Sequence, residues 1–268
     1  VAALARVAHD HGCLLAVDCA HGAYLKFLPQ SLHPMDLGAD LCCSSAHKTL
    51  PVLTGGAYLH TSPALRAGAK TALALFGSTS PSYLILQSLD AANRILDKAF
   101  PAELAATVRA VETMKARLCD FDYVGDEPMK LTLRTASYGY TGLEFAELLR
   151  QRDVECEFAD PDHVVFMISN VTDLPSLEAA LISIPKKQAL DRQPPRLYHP
   201  KKAISIREAT LCPHVTLPIS LCEGRILAAA TLGCPPAVPI AVCGELLDRE
   251  VLERMDYYGI TTCCVADI

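Results

Sequence analysis

A carboxylate and a lysine each follow a short apolar segment near the start of the chain. Asp18 ends the run CLLAVD (13–18), and Lys48 comes just after the apolar part of GADLCCSS (38–45). Ligands of open α/β sheets bind beyond the carboxyl ends of strands, so we expect both side chains at one sheet edge. There a lysine amine could form an imine with pyridoxal phosphate, and a carboxylate could keep the pyridine nitrogen protonated. From residue types alone, a helix-capping aspartate and a solvated lysine remain an open alternative.

Alternating helices and strands surround these two residues. Residues 1–11 have helical apolar spacing, and Gly12 is expected to end that helix. A helix followed by a continuous apolar strand favours a parallel sheet that is covered on both faces. Ser80 is a candidate cap for the last helix of this region, with Pro81 near its first turn. The further elements predicted here are strands at 13–18, 38–45 and 55–61 and helices at 63–75 and 81–99.

The middle of the chain has the pattern of a small α+β domain. Thr141 and Glu144 have the spacing of a capping box at the start of a helix. The elements predicted here are strands at 130–136, 154–158 and 163–169 and helices at 141–152 and 173–184. A proline-rich linker follows, and the last region holds two short helices around CPPAVPIAV (234–242). The predicted division is therefore 1–100, 101–185, the linker 186–200, and 201–268.

Composition excludes several classes of protein. The chain of 268 residues is 51% hydrophobic and has a formal charge of -6, which permits a real core and argues against nucleic acid as a partner. No apolar run reaches the length of about 18 residues expected of a membrane span. The twelve cysteines include no CxxC pair, so we predict no metal site and, with free thiols, a cytoplasmic location. Because Val1 already lies in a helical pattern without an initiator Met, we expect the chain to begin within a domain.

Three separated segments resemble the Orn/Lys/Arg decarboxylase family, in the same order. VDCAHGAYLKFLP…LGADLCCSSAHKTLPVLTGGAYLH (17–60) is similar to the family's DEAHGAH, GAD and STHKTL patterns. FGSTSPSYLILQSLD (76–90) is similar to its STSPSY segment, and EGRILAAATLGCPPAVPIAVCGE (223–245) to its EAVGRI, PPGIP and PGE patterns. These enzymes use pyridoxal phosphate and have an aspartate-aminotransferase-like fold. The resemblance implies an α/β chain: part of the cofactor-binding major domain with a mostly parallel sheet, a small α+β domain, and the family's C-terminal domain at 201–268.

The resemblance also implies roles for the residues around the cofactor ring. Lys48 matches the Schiff-base lysine, and Asp18 matches the partner of the pyridine nitrogen. Ala20 matches the small residue against the ring face. His21 matches the histidine beside it and is, with Lys48, the second expected catalytic residue.

Four further matches concern the cofactor phosphate. Ser45 and His47 match residues that help to hold it, although His47 could instead make a local cap. Ser78 and Thr79 match a segment that, in such folds, reaches the phosphate of a neighbouring subunit; capping of the next helix is the competing interpretation. Because such sites form at subunit interfaces, the resemblance implies a homo-oligomer.

Several positions depart from the family pattern. Cys19 stands where the family has Glu, Tyr24 where it often has His, and Ala46 where it has Thr. Near the C-terminus, Ala237 replaces the Gly of PPGIP and Cys243 replaces a Pro. These changes leave the lysine and aspartate in place but allow functional drift.

The expected reaction is decarboxylation of arginine, lysine or ornithine to agmatine or a diamine, as in polyamine biosynthesis. Glu157 is a candidate for the acid that recognises the basic side chain of the substrate. Two alternatives stay open. One is another enzyme of this fold such as an aminotransferase, in which Arg134 could bind the substrate carboxylate. The other is a truncated, inactive relative that pairs with an active subunit.

Overall fold

The computed structural model describes residues 1–229, 231–234 and 238–268 of a mixed α/β chain. It has two compact units, one of Val1–Lys115 with Ser169–Thr172 and the other of Ala116–Ile168 with Asp173–Ile268. The described helices are α1 (Ala2–Asp10), α2 (Ala46–Thr49), α3 (Arg66–Phe76), α4 (Tyr83–Lys98), α5 (Phe100–Arg117), α6 (Gly142–Arg150), α7 (Leu174–Ser183), α8 (Ile206–Leu211) and α9 (Arg249–Tyr257). The described strands are β1 (Ala16–Asp18), β2 (Leu41–Ser44), β3 (Tyr58–Thr61), β4 (Asp122–Val124), β5 (Lys130–Arg134), β6 (Phe158–Ala159), β7 (His163–Met167), β8 (His214–Pro218), β9 (Thr231–Cys234), β10 (Val238–Val242) and β11 (Thr262–Ala266).

The first unit contains a three-stranded sheet in the order β1-β2-β3. β1 and β2 are parallel, with Asp18 opposite Cys43, whereas β2 and β3 are antiparallel, with Ser44 opposite Tyr58. The expectation of a mostly parallel sheet is therefore wrong for the described part of this sheet, which is mixed. The connection from β2 to β3 reverses the chain and carries only the single-turn helix α2, without the longer helix that usually forms a parallel crossover.

The helix ends of the first unit follow local chemistry. α1 ends as predicted before Gly12, which has a positive φ of 68° that favours glycine. The predicted cap Ser80 is wrong, because the Ser82 hydroxyl accepts the hydrogen bond from the Ile85 N–H at 3.4 Å. Ser82 has extended backbone and directly precedes the first helical residue, which is the position that an N-cap requires.

The second unit is built on a four-stranded antiparallel sheet in the order β4-β5-β7-β6. The predicted capping box is confirmed: the Thr141 hydroxyl accepts from the Glu144 N–H, and the Glu144 carboxylate accepts from the Thr141 N–H. In β5 buried leucines alternate with half-buried residues, so one face of the sheet supplies the core. The largest fully buried side chains of this part are Leu131, Leu133, Phe145, Leu149, Leu181 and Ile184.

The remainder of the second unit holds the two predicted helices, α8 and α9, together with strands that the sequence did not predict. β8 pairs with β11 and β9 with β10, both antiparallel. A second core packs beneath α9, with Cys222, Leu227, Leu247, Val251, Met255 and Val265 among its buried members. Ala237, where the sequence departs from the family pattern, lies outside the described residues. Among the described helices, none combines the length and apolarity needed to cross a bilayer.

Candidate active site

The ends of β1 and β2 position the predicted site residues. Asp18 is the last residue of β1, and Lys48 lies in α2, which begins two residues after β2 ends. Because the two strands are parallel, both chains leave the sheet at the same edge. The Cys19 N–H donates to the Cys43 carbonyl at 2.9 Å and extends this pairing by one residue beyond Asp18.

Lys48 and His21 are in direct contact. The Lys48 Nζ lies 2.9 Å from the His21 Nε2, although the two residues are 27 positions apart in the sequence. Lys48 is exposed, and His21 is half-buried. A lysine ammonium can only donate, so an imidazole nitrogen without a proton is its natural partner. The arrangement can therefore hold or move a proton at the Lys48 amine.

Asp18 has its own hydrogen-bond partners. The carboxylate Oδ1 accepts from the Ala20 N–H at 3.1 Å and faces the Cys43 thiol at 3.6 Å. These bonds orient the carboxylate, and the side chain is exposed in the chain alone. Sequence reasoning missed Cys43. The parallel register of β1 and β2 is the signal that could have identified it, but that register depends on where both strands end.

Ser45 and His47, which precede Lys48 in the sequence, differ in their hydrogen bonds. Ser45 is the N-cap residue of α2, but its side chain makes no capping hydrogen bond. Its hydroxyl can therefore bind a ligand oxygen. The His47 Nδ1 lies 3.0 Å from the Gly56 carbonyl, which also accepts from the His47 N–H at 3.2 Å. His47 thus contacts a local backbone carbonyl, as in the competing interpretation of this residue.

Ser78 and Thr79 lie in the exposed segment between α3 and α4. The Ser78 hydroxyl accepts from the Ser80 N–H at 3.1 Å. Within the described part of the chain, no hydrogen bond joins either residue to Lys48 or to Asp18. They do not cap α4 either, since Ser82 does so. A phosphate-binding role for this pair stays a prediction that requires a second subunit.

The two candidate substrate contacts lie in the second unit. Arg134 ends β5, and its Nη1 is 3.0 Å from the Asp122 carboxylate. That ion pair occupies part of the guanidinium that an aminotransferase would use for a substrate carboxylate. Glu157 is exposed, and its backbone N–H donates to the Val165 carbonyl at 2.9 Å. Its role in substrate recognition stays a prediction.

The donor set at this edge fits pyridoxal phosphate. An exposed primary amine is available for a covalent link to an aldehyde, and an imidazole contacts it at 2.9 Å. A carboxylate at the end of the adjacent strand can pair with a ring nitrogen, and Ala20 beside it adds little bulk. Ser45 supplies one hydroxyl for a phosphate oxygen. The amine, carboxylate, imidazole and hydroxyl are thus present on one sheet edge.

Known proteins resemble the chain over most of its length. A family model described as "Orn/Lys/Arg decarboxylase, major domain" matches residues 2–122. The arginine decarboxylase of Bacillus anthracis is 26% identical over 93% of this chain and 56% of its own length. The uncharacterized protein YaaO of Bacillus subtilis is 27% identical over 92% of this chain and likewise 56% of its length. The chain therefore spans about half the length of these curated relatives.

Solved structures resemble it in fold. The lysine decarboxylase LdcF of Francisella novicida superimposes with a TM-score of 0.72 at 15% identity, covering 94% of this chain and 53% of that protein. The constitutive lysine decarboxylase of E. coli gives a TM-score of 0.67 at 16% identity, covering 94% of this chain and 54% of that protein. The match over residues 2–122 and the curated relatives support the Orn/Lys/Arg decarboxylase family for this chain, and the solved lysine decarboxylases share its fold.

Proposed function

We propose that the protein to which this chain belongs decarboxylates a basic amino acid, namely arginine, lysine or ornithine, with pyridoxal phosphate as cofactor. The similarity to the Orn/Lys/Arg decarboxylase family supports a decarboxylase. The observation that carries the proposal is the contact between the Lys48 amine and the His21 imidazole, at the sheet edge where Asp18 ends the parallel neighbouring strand. Arrangements of an amine, a carboxylate and an imidazole suit a cofactor that must be bound covalently and kept protonated on its ring.

Each residue of the site would then have a defined task. When bound, pyridoxal phosphate would accept the electron pair that the departing carboxylate leaves on the substrate. Lys48 would anchor the cofactor, and Asp18 would hold a proton on its ring nitrogen. Ala20 would leave room for the ring face, and His21 would hold or remove a proton at the Lys48 Nζ, 2.9 Å away.

The phosphate contacts are proposed for the residues on either side of the site. Ser45 has a hydroxyl without a capping bond and suits a phosphate oxygen. His47 would help to hold the phosphate only indirectly, through the residues around it, because its Nδ1 is bonded to the Gly56 carbonyl. Ser78 and Thr79 would contact the cofactor of a second subunit. Their exposure on the segment between α3 and α4 supports this assignment.

We also propose that the active protein is a homo-oligomer in the cytoplasm. Large apolar side chains beside Ser78 and Thr79 are unusually exposed: Phe76 is 90% exposed, Tyr83 83% and Leu75 74%. Contiguous exposed apolar surface commonly marks a protein interface. We also propose a division of the chain into four parts: a major-domain part at 1–100, a small domain at 101–185, a linker at 186–200 and a C-terminal decarboxylase domain at 201–268.

An inactive partner subunit is the second candidate. Cys19, Tyr24 and Ala46 depart from the family pattern within the site. In the described part of the first unit, β1 is an edge strand with one unpaired side. An unpaired edge is a ready surface for another chain. Both features favour a chain that completes its sheet and its site with a partner.

The test measures release of carbon dioxide from arginine, lysine and ornithine by the purified chain with pyridoxal phosphate. The proposal expects cofactor-dependent release from at least one of them. Asp18→Asn should abolish most of this release, because it removes the negative charge that keeps the ring nitrogen protonated. Asp10→Asn, at the end of α1, is the matched control and should leave it unchanged.

Either of two results would contradict the enzyme proposal. One is cofactor binding without release from any of the three amino acids. The other is release that Asp18→Asn leaves intact. Cofactor binding that begins only after a full-length relative is added would support the partner-subunit candidate instead.

A further inference from the structure

The first unit contains a cavity of about 280 Å³ that is separate from the lysine site. Its walls come from β3, α4 and the 3-10 turn Ala23–Phe27, together with the segment that follows this turn. Lys48, His21 and Asp18 are not among its lining residues. No step of the proposed reaction uses it.

Aromatic rings and apolar side chains form most of the cavity wall. The rings of His33 and His60 meet edge to face with their centroids 4.9 Å apart, and Tyr58 tilts against His60 at 5.8 Å. Phe27 and Leu96 line the cavity beside them. Aromatic rings favour offset and edge-to-face contacts with further rings. The wall therefore suits a flat aromatic molecule.

Several polar groups of the wall have unused hydrogen-bonding capacity. His33 accepts from the Met35 N–H through its Nδ1 at 3.3 Å, so the neutral ring carries its proton on Nε2. The buried Tyr58 hydroxyl has no hydrogen-bond partner among the described residues, and His60 and Asn93 also line the cavity. Buried polar groups of proteins are nearly always hydrogen-bonded. The edge of a bound molecule could complete these bonds.

The charges around the cavity favour a neutral molecule. Burial lowers the pKa of His33, followed by the effect of His60; burial and then Lys26 lower the pKa of His60. Asp36 alone acts in the opposite direction, on the pKa of His33. Both imidazoles are therefore neutral at pH 7, each with one donor and one acceptor. The Lys26 ammonium is already paired with Asp36 at 2.7 Å.

We propose that this cavity binds a neutral, planar, bicyclic heteroaromatic molecule of the size of benzimidazole or a purine base. Its rings would pack against the aromatic wall, and its nitrogen-bearing edge would exchange hydrogen bonds with His33 and His60. The volume lies just below the range of about 300–1,000 Å³ typical of drug-sized ligands, which favours a molecule smaller than a drug. The proposal does not depend on the decarboxylase reaction.

The test is a calorimetric titration of the full chain with benzimidazole at pH 7.5, without pyridoxal phosphate. The proposal expects saturable binding with one molecule per chain. His60→Phe keeps a ring but removes both nitrogens, and should weaken binding about tenfold, the effect of one or two lost hydrogen bonds. 1-Methylbenzimidazole, which lacks the N–H donor, should be weakened similarly. His11→Phe, at an exposed position after α1, is the control and should bind as the parent does.

Two further measurements keep the proposal falsifiable if His60→Phe is poorly folded. Leu96→Phe should fill part of the cavity and reduce binding while the circular dichroism spectrum is retained. Binding of indazole, a bicyclic molecule of the same size that stays neutral in mild acid, should weaken as the pH falls below 6.5, because protonation of His33 or His60 removes an acceptor and places a charge in the cavity. Absence of saturable binding, or equal affinity of the parent, His60→Phe and Leu96→Phe chains, would overturn the proposal.

Discussion

A buried polar cluster in the second unit supports a quantitative prediction. The side chain of Asp162 is only 3% exposed. Its Oδ1 accepts from the Tyr257 hydroxyl at 2.5 Å and lies 3.4 Å from the Arg192 Nε, whereas its Oδ2 is buried without a partner. The cluster joins the turn before β7 to the segment between α7 and α8 and to the end of α9. Burial, and then the bond to Asp162, raises the pKa of the Tyr257 hydroxyl.

Tyr257→Phe should lower the free energy of unfolding by about 2 kcal/mol. The ring and its burial are retained. The loss is that of the bond that the hydroxyl donates to the Asp162 carboxylate, which contributes about 1.5–3 kcal/mol, and of the longer bond that it accepts from the Arg192 Nε at 3.2 Å. Asp162→Asn keeps the shape but removes the charge that faces Arg192. We expect it to cost about 2 kcal/mol, less than the loss of a fully buried pair, because the Arg192 side chain is 25% exposed and keeps its contacts with Tyr257.

The double variant separates this explanation from a general loss of packing. If the hydroxyl and the carboxylate act on each other, the double variant should be less destabilised than the sum of the single variants by about 1–2 kcal/mol. Urea unfolding followed by circular dichroism gives these values. Tyr83→Phe, at a tyrosine that is 83% exposed, is the control and should change stability by less than about 0.5 kcal/mol. Additive effects of the two single variants would refute the reasoning.

Three further perturbations test other parts of the fold. His33 and His60 have lowered pKa values in the folded chain, so their contribution to stability is complete above pH 6.5 and is lost as the pH falls below it. In urea titrations at different pH values, His60→Phe should make this loss of stability less steep by up to about 1.4 kcal/mol per pH unit. Thr141→Ala should cost about 1 kcal/mol through loss of the capping box with Glu144, and an unchanged urea midpoint would contradict that role. Phe145→Ala should cost about 3–5 kcal/mol because the ring is fully buried, and a loss below 1 kcal/mol would show that the core rearranges to fill the space.

Much of the local structure could be predicted because nearby residues determine it. The Thr141 capping box and the end of α1 at Gly12 depend on side chains and backbone conformations within a few positions. Asp18 ends one apolar segment and Lys48 closely follows another, and this order predicts their positions at the end of β1 and in α2 just after β2. Helix α5 was not predicted, although its buried residues Phe100, Leu104, Val111 and Met114 have helical spacing.

The features that could not be predicted depend on pairing over long distances. β8 and β11 join residues about fifty positions apart, and neither strand is long enough to have a distinctive pattern. The contact of Lys48 with His21 could be expected only from the family resemblance. The meeting of His33 with His60 depends on how the turns before β2 and the strand β3 pack. No spacing of residue types indicates such a contact.

The identity of Lys48 as the anchor of the cofactor is the central claim, and one measurement tests it most directly. The chain is mixed with pyridoxal phosphate, reduced with borohydride, digested and analysed by mass spectrometry. The proposal predicts a reduced cofactor adduct on the peptide that contains Lys48, its loss in Lys48→Ala, and its retention in the control Lys26→Ala. An adduct on other lysines only, or one of equal yield in Lys48→Ala, would contradict the claim.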